Sequence, residues 1–278
     1  MKIKPLAWLW MVGLVVLAAG LGAPISAAGE TGAGPGMVAA GRLALSVGGG
    51  WASQEKMADS LEYGWDDGGE ISSQDSREVS LKKDFYYLAR LDYGLHRRLT
   101  VSAQVGMVDG GLWAQTLANG RWEAILKPAL VWGVGARGLL WESASGLGLS
   151  AGLDYLRWDN RGIDHWRTPD GGSTDSYVSK VDGDVNYWRF QAEILAHWRL
   201  GRWLPYLGGA YAYSKLKSED NWTWDDGTQS HYRDDYSNQD RWGLVGGVQA
   251  ELLPNLSLAL RATWLMREEL GLALTYQF

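Results

Sequence analysis

The chain has 278 residues, no Cys, 17 Trp, 13 Tyr, 37 Gly and 7 Pro. Without Cys, disulfides, thiolate metal sites and Cys nucleophiles are excluded. A net charge of −6 argues against nucleic acid as a partner, because a phosphate backbone needs a basic face. So many large amphipathic rings, at a mean hydropathy of −0.21, suit a boundary between water and lipid.

The chain opens with Lys2 and Lys4, and no charged residue falls between Pro5 and Ala23. Ser26-Ala27-Ala28 then supplies small residues at an exit. This three-part pattern predicts a secretory signal peptide over 1–28, cleaved after Ala28. Residues 29–40 (GETGAGPGMVAA) read as a flexible lead-in. The remaining domain is 41–278.

From there the sequence alternates with a period of two. Strands are expected near 42–53, 82–95, 99–109, 126–142, 147–159, 186–200, 203–216, 241–253, 255–266 and 269–278. In 99–107, Leu99, Val101, Ala103, Val105 and Met107 oppose Thr100, Ser102, Gln104 and Gly106. In 188–199 the apolar set opposes Arg189, Gln191, Glu193, His197 and Arg199, with Leu195 as the exception. Neither run has helical spacing. Short turns alternate with long polar stretches near 54–81, 110–125, 160–185 and 217–240. Short turns on one side and long loops on the other are the habit of a transmembrane barrel. Lipid enforces closure, because every backbone polar group there needs an internal partner. Aromatic residues near predicted strand ends (Trp51, Tyr93, Trp122, Trp141, Tyr155, Trp188, Trp198, Trp242, Trp264) read as interfacial girdles. The expectation is an all-β, closed antiparallel transmembrane barrel of ten strands, with eight as the alternative.

The closing run Leu270, Leu272, Leu274, Tyr276, Phe278 resembles the C-terminal assembly signal of bacterial outer-membrane β-barrels. The stretch 91–101 looks like their down-strand, periplasmic turn and up-strand. The resemblance spans roughly 40–278 and implies location and fold: the cell outer membrane, reached by export. It implies contact with outer-membrane lipids, lipopolysaccharide and the barrel-assembly machinery. It says much less about activity.

With oily faces outward, the lumen receives Arg90, Asp92, Arg137, Asp154, Arg189, Glu193, His197, Arg199, Glu251 and Arg261. These near-balanced charges either pair and plug a narrow interior or line an aqueous path. The long stretches 53–80, 159–184 and 215–240 carry 21 Asp and Glu against 8 Lys and Arg. They include Trp65-Asp66-Asp67-Gly68, Trp158-Asp159-Asn160 and Trp224-Asp225-Asp226-Gly227. Turn formation explains these best, and divalent-cation bridging is the sharper alternative. Ten-stranded outer-membrane barrels include omptin proteases, but the Asp-x-His couple that resemblance requires is broken here. Asp164 and His165 are adjacent, and Gln229 stands two residues before His231. No catalytic, cofactor or metal residues are assigned. The expected function is a non-catalytic barrel with a narrow, salt-bridged lumen, porin-like or structural. The alternative is a loop-based binding or adhesion protein on a barrel stand.

Overall fold

A computed structural model describes residues 35–66, 69–73, 78–117, 120–167 and 178–278. The signal-peptide expectation over 1–28 lies outside these residues. The strands are β1 (Leu43–Asp66), β2 (Gly69–Ser73), β3 (Glu78–His96), β4 (Leu99–Leu117), β5 (Gly120–Leu126), β6 (Ala129–Glu142), β7 (Leu147–Arg167), β8 (Val178–Trp198), β9 (Trp203–Trp224), β10 (Gln229–Asn238), β11 (Trp242–Leu253), β12 (Leu256–Trp264) and β13 (Glu268–Gln277). All pairings between them are antiparallel.

The ring closes at two different sizes. At the short-turn end it runs β1, β3, β4, β6, β7, β8, β9, β11, β12, β13 and back to β1, a circuit of ten. The β12–β13 hairpin is short. Beyond its tip β10 pairs directly with β1, Met57 opposite Asn238 through Asp66 opposite Ser230. There the circuit is β1, β3, β4, β5, β7, β8, β9 and β10, eight in all, with β2 paired onto the outer end of β1. The barrel thus has ten strands at its base and eight in its far half.

β9 shows why two storeys form. Its 22 residues extend over roughly 70 Å at about 3.3 Å per residue, twice what a spanning strand needs. Its odd positions face out: Trp203, Leu207, Tyr211 and Tyr213, then Lys215, Lys217, Glu219 and Asn221. Its even positions face in: Leu204, Tyr206, Ala210 and Ala212, then Ser214, Leu216, Ser218, Asp220 and Trp222. Below Tyr213 the exterior is oily. Above it the exterior is charged. The same inversion appears around the ring. Leu91, Leu95, Val105, Val134, Leu153, Ile194, Leu207, Leu244 and Leu270 are large apolar side chains left exposed at the base.

The long connectors expected near 54–81, 110–125, 160–185 and 217–240 are largely strand. Once a wall leaves lipid its outward residues turn polar, so the oily alternation that marks a spanning strand fades while the backbone ladder continues. The turn expected at Trp224–Gly227 is present. Trp122 and Trp158 are not girdle residues, because both pack in or against the core of the far half. Irregularities ring the boundary between storeys. Asn160 is an extra residue between the Trp158 and Arg161 pairings of β7, with φ of 51°. Lys83, with φ of 59°, sits unpaired between Lys82 and Asp84, facing Gly110–Gly111. Each irregularity swaps the faces. On β3, odd-numbered Phe85, Tyr87 and Leu91 look out below it, while Val79 and Leu81 look in above it.

Candidate functional site: a stacked interior

The interior is built in three layers. The base layer is polar. Arg90 binds Asp92 (2.8 Å) and Asp154 (3.4 Å). Arg137 binds Glu193 (2.8 Å), and Arg261 reaches the same carboxylate from the other side. Arg199 meets Glu251 at 3.3 Å. Glu193 is almost wholly buried, so two guanidinium groups offset its loss of hydration. The arginines of this layer, with Asp92, Asp154 and Glu251, line a cavity of about 310 Å³, together with Gly48, Gly50, Leu88, Leu156 and Thr263.

A strap lines part of this cavity. Residues 35–40 are docked, in contrast to the flexible lead-in expected over 29–40; residues 29–34 lie outside the described part. Arg137 donates to the Pro35 carbonyl (3.1 Å), and Gln249 and Thr100 accept from the backbone N–H groups of Gly36 and Val38. Met37 and Val38 are buried. Gly94 makes the seat, because any Cβ there would collide with the carbonyls of Val38 and Ala39. Overpacking costs about 1–3 kcal/mol. Gly94→Val is therefore expected to expel the strap from a still-folded barrel, making 35–42 at least about tenfold faster to proteolyse. Unchanged protection would show that the strap is not held there.

The middle layer is ionic. Arg267, nearly fully buried at the β12–β13 tip, binds Glu55 (2.8 Å), Glu269 (3.2 Å) and the Tyr86 hydroxyl (2.6 Å). The Tyr187 hydroxyl donates to Glu55 at 2.9 Å, and Ser214 donates to its other oxygen. Arg161 binds Asp84 at 2.9 Å and donates to the carbonyls of Lys127 and Gly110. Arg189 reaches Glu269 at 3.3 Å. Arg161 also lies 5.1 Å above the Trp158 ring, and Arg267 5.0 Å from Tyr86.

The far layer is an aromatic core. Trp113 contacts Trp166 (5.2 Å, edge-on) and Tyr236 (5.7 Å), and Trp166 contacts Trp222 (5.5 Å). Met57, Val79, Val108, Val131, Val185 and Leu216 fill the gaps with no exposed surface.

All ten lumen residues singled out from sequence lie on the inward face of the base storey or its rim. Arg90, Asp92, Arg137, Asp154, Glu193 and Arg261 form one network, Arg199 pairs with Glu251, and Arg189 joins the middle layer. His197 is buried against Gly148. The base and the ionic layer above it have polar interiors, whereas the far half, its outside in water, packs an apolar core with a few buried polar groups such as Asp220 and Asp234. Glu55, Asp84, Arg161, Arg267 and Glu269 escape sequence reading. Asp84 shares the even parity of Arg90 and Asp92, and Glu269 the odd parity of Gly271, so those two were within reach. Glu55, Arg161 and Arg267 stand just past chain irregularities that reverse the faces.

Asp164 and His165, neighbours in the chain, come together on β7. A bulge at Asp164 lets the adjacent side chains meet, His165 Nδ1 at 3.1 Å from Asp164. His231 lies 2.7 Å from Asn221. Both histidines are on the outer wall, since Ile163, Trp166 and Ser230 beside them take the inward positions. Among the described residues no group of three or more ligand-type side chains gathers as a metal site.

No protein-family model matches the chain, and no curated protein sequence does. Solved structures do. The outer membrane protein OprG from Pseudomonas aeruginosa matches over 86% of this chain and 97% of its own, at 12% identity and a TM-score of 0.50. The outer membrane protease OmpT from Escherichia coli matches over 85% and 97%, at 12% identity and a TM-score of 0.48. Likeness at this identity concerns the fold alone. The fold shared with OprG is a closed antiparallel β-barrel, here with an oily exterior at its base.

Proposed function

We propose that this protein is a closed, non-catalytic surface barrel. Its lipid-embedded storey is a salt-bridged stand and its outer storey a packed head; it is not an open porin. The aromatic core carries this reading. Trp113, Trp158, Tyr187, Leu216 and Tyr236 are each at most 2% exposed across the interior, above an ionic layer whose charges are paired. A hydrated path needs polar, unfilled cross-section, and the head offers packed rings. Full-length protein refolded into planar bilayers is expected to be electrically silent, and Arg137→Gln and Arg189→Gln should not change that. Stable single-channel steps would overturn the reading.

A second reading, recognition by the head, draws on the strand lengths. Walls of 21 to 24 residues in β1, β7, β8 and β9 hold the rim well beyond the lipid. Excising 217–240 would remove the β9–β10 wall itself, so trimming the 225–228 turn is the appropriate test of partner binding. Two further expectations belong to this proposal: the terminal strand is read by the barrel-assembly machinery, and the acidic rim meets divalent cations.

A further inference from the structure

The base cavity has a ceiling and a mouth. Tyr86, Arg189 and Glu269 of the ionic layer line its inner end, and the aromatic core is packed above them. Its other end reaches the exposed β8–β9 and β11–β12 turns, where Arg202, Leu253 and Pro254 line it beside the strap. A cup of this form takes up a ligand from the short-turn end and does not pass it on.

One wall leaves the space. Arginines project from β3, β6 and β12, whereas β13 and β1 meet the cavity with small residues, Gly271 opposite Gly50 and Ala273 opposite Gly48. At Gly48 the small size is forced, because a Cβ would stand 2.7 Å from the Leu272 carbonyl. At Gly271 it is not. The backbone there lies outside the left-handed region, and a Cβ would have only the Gly49 carbonyl near it, at 3.8 Å. Small barrels generally fill their axis with side chains, and a void forfeits packing. An unforced glycine beside a cavity of ligand size therefore points to an occupant.

Charge selects the occupant. Six arginines line the cavity against four carboxylates, and Glu193, held between Arg137 and Arg261, makes a fifth. The surplus cation is Arg202 at the mouth, which has no carboxylate partner among the described residues. The exposed Arg42, Arg97 and Arg98 stand at the same end, whereas the long outer segments carry 21 carboxylates to 8 cations. This asymmetry draws anions to the short-turn end. Further in, Leu88 and Leu156 supply apolar wall.

We propose that the cup binds a slim organic monocarboxylate from the short-turn end, its carboxylate on Arg202 and its apolar body running inward over Gly271. The direction of entry rests on the closed-head reading. Channel steps would sink that reading by themselves, whereas a silent barrel that binds no carboxylate would sink only this one.

The test is calorimetric titration of full-length protein, refolded in neutral detergent, with 4-phenylbutyrate, against a detergent blank. Saturable binding is expected. A hydrogen bond to a charged group is strong enough that Arg202→Gln should weaken binding about tenfold. Gly271→Leu fills the cup and should abolish binding, with heat-modifiable gel mobility unchanged. Arg157→Gln, on the outer wall, should bind as the parent does. Absence of saturable binding would overturn the proposal. So would equal affinity for 4-phenylbutan-1-ol, which lacks the charge, or for acetate, which lacks the body. A folded Gly271→Leu variant that binds as the parent would place the ligand elsewhere and overturn it too. Should that variant fail to fold, undiminished binding by Arg202→Gln would decide against the site.

Discussion

Arg267→Met is expected to cost the barrel about 3–5 kcal/mol, the range for leaving a buried ion without its partner. Glu55 is 3% exposed, and Arg267 is its cationic partner at 2.8 Å. Without Arg267, Glu55 keeps the hydroxyls of Tyr187 and Ser214 but loses its countercharge, and Glu269 keeps only Arg189. Adding Glu55→Gln removes the orphaned charge, and the double variant should recover most of the loss. Urea unfolding in lipid vesicles reads both steps, with tryptophan emission reporting the core above the layer. If the single substitution shifts the midpoint no more than an exposed salt bridge would, the ionic layer is not what joins the storeys. The layer has a clear structural task. It ends the polar base and begins the apolar head, and the hairpin tip carrying Arg267 lies where the ring narrows from ten strands to eight.

The second large effect is pH dependence in the head. Asp220 points into the head's interior opposite Gly183, with one hydroxyl donor, Ser218, at 3.1 Å. Burial, with Asp234 and Asp184 nearby, lifts its pKa from 3.8 to about 8. A carboxyl raised in the folded state favours folding while protonated. That contribution is complete below pH 3.8, erodes as the unfolded chain ionises, and is gone above about 8. The head should therefore be more stable at pH 5 than at pH 9. The difference is on the order of a few kcal/mol, since one pH unit of displaced titration is worth about 1.4 kcal/mol. Asp220→Asn should flatten that slope and stabilise the head at pH 9. Hydrogen exchange of β9 and β10 amides at the two pH values measures it. Equal protection factors at the two pH values in the parent protein, or an unaltered slope in the variant, would mean that Asp220 ionises normally.

Much of the lipid-embedded storey is legible in the chain. Leu99 to Met107 and Leu270 to Phe278 alternate with a strict period of two because lipid accepts only oily side chains on one face of a closed wall. The same parity that sends Leu91 outward sends Arg90 and Asp92 to the axis, so much of the base network can be read without coordinates. The ring size can also be read, though as rival counts of ten and eight, and the molecule uses both. The head resists such reading. Lys215, Lys217 and Glu219 look like loop residues when lipid is assumed outside, yet they are the hydrated face of a strand whose other face carries Leu216 and Trp222. Periodicity identifies two faces and leaves open which one is wet.

What the sequence alone determined is the alternation, the oily terminal strand and the set of charges that share its opposite face, all consequences of strand geometry within single segments. The tertiary structure decided where the faces exchange. A one-residue bulge at Asn160, or a left-handed residue at Lys83, turns over the residues next beyond it, and whether it forms depends on the neighbouring strand. It also decided that Glu55, Asp84, Arg161 and Arg267, far apart in the chain, share one layer, because only closure of the ring brings β1, β3, β7 and the β12–β13 tip to the same height.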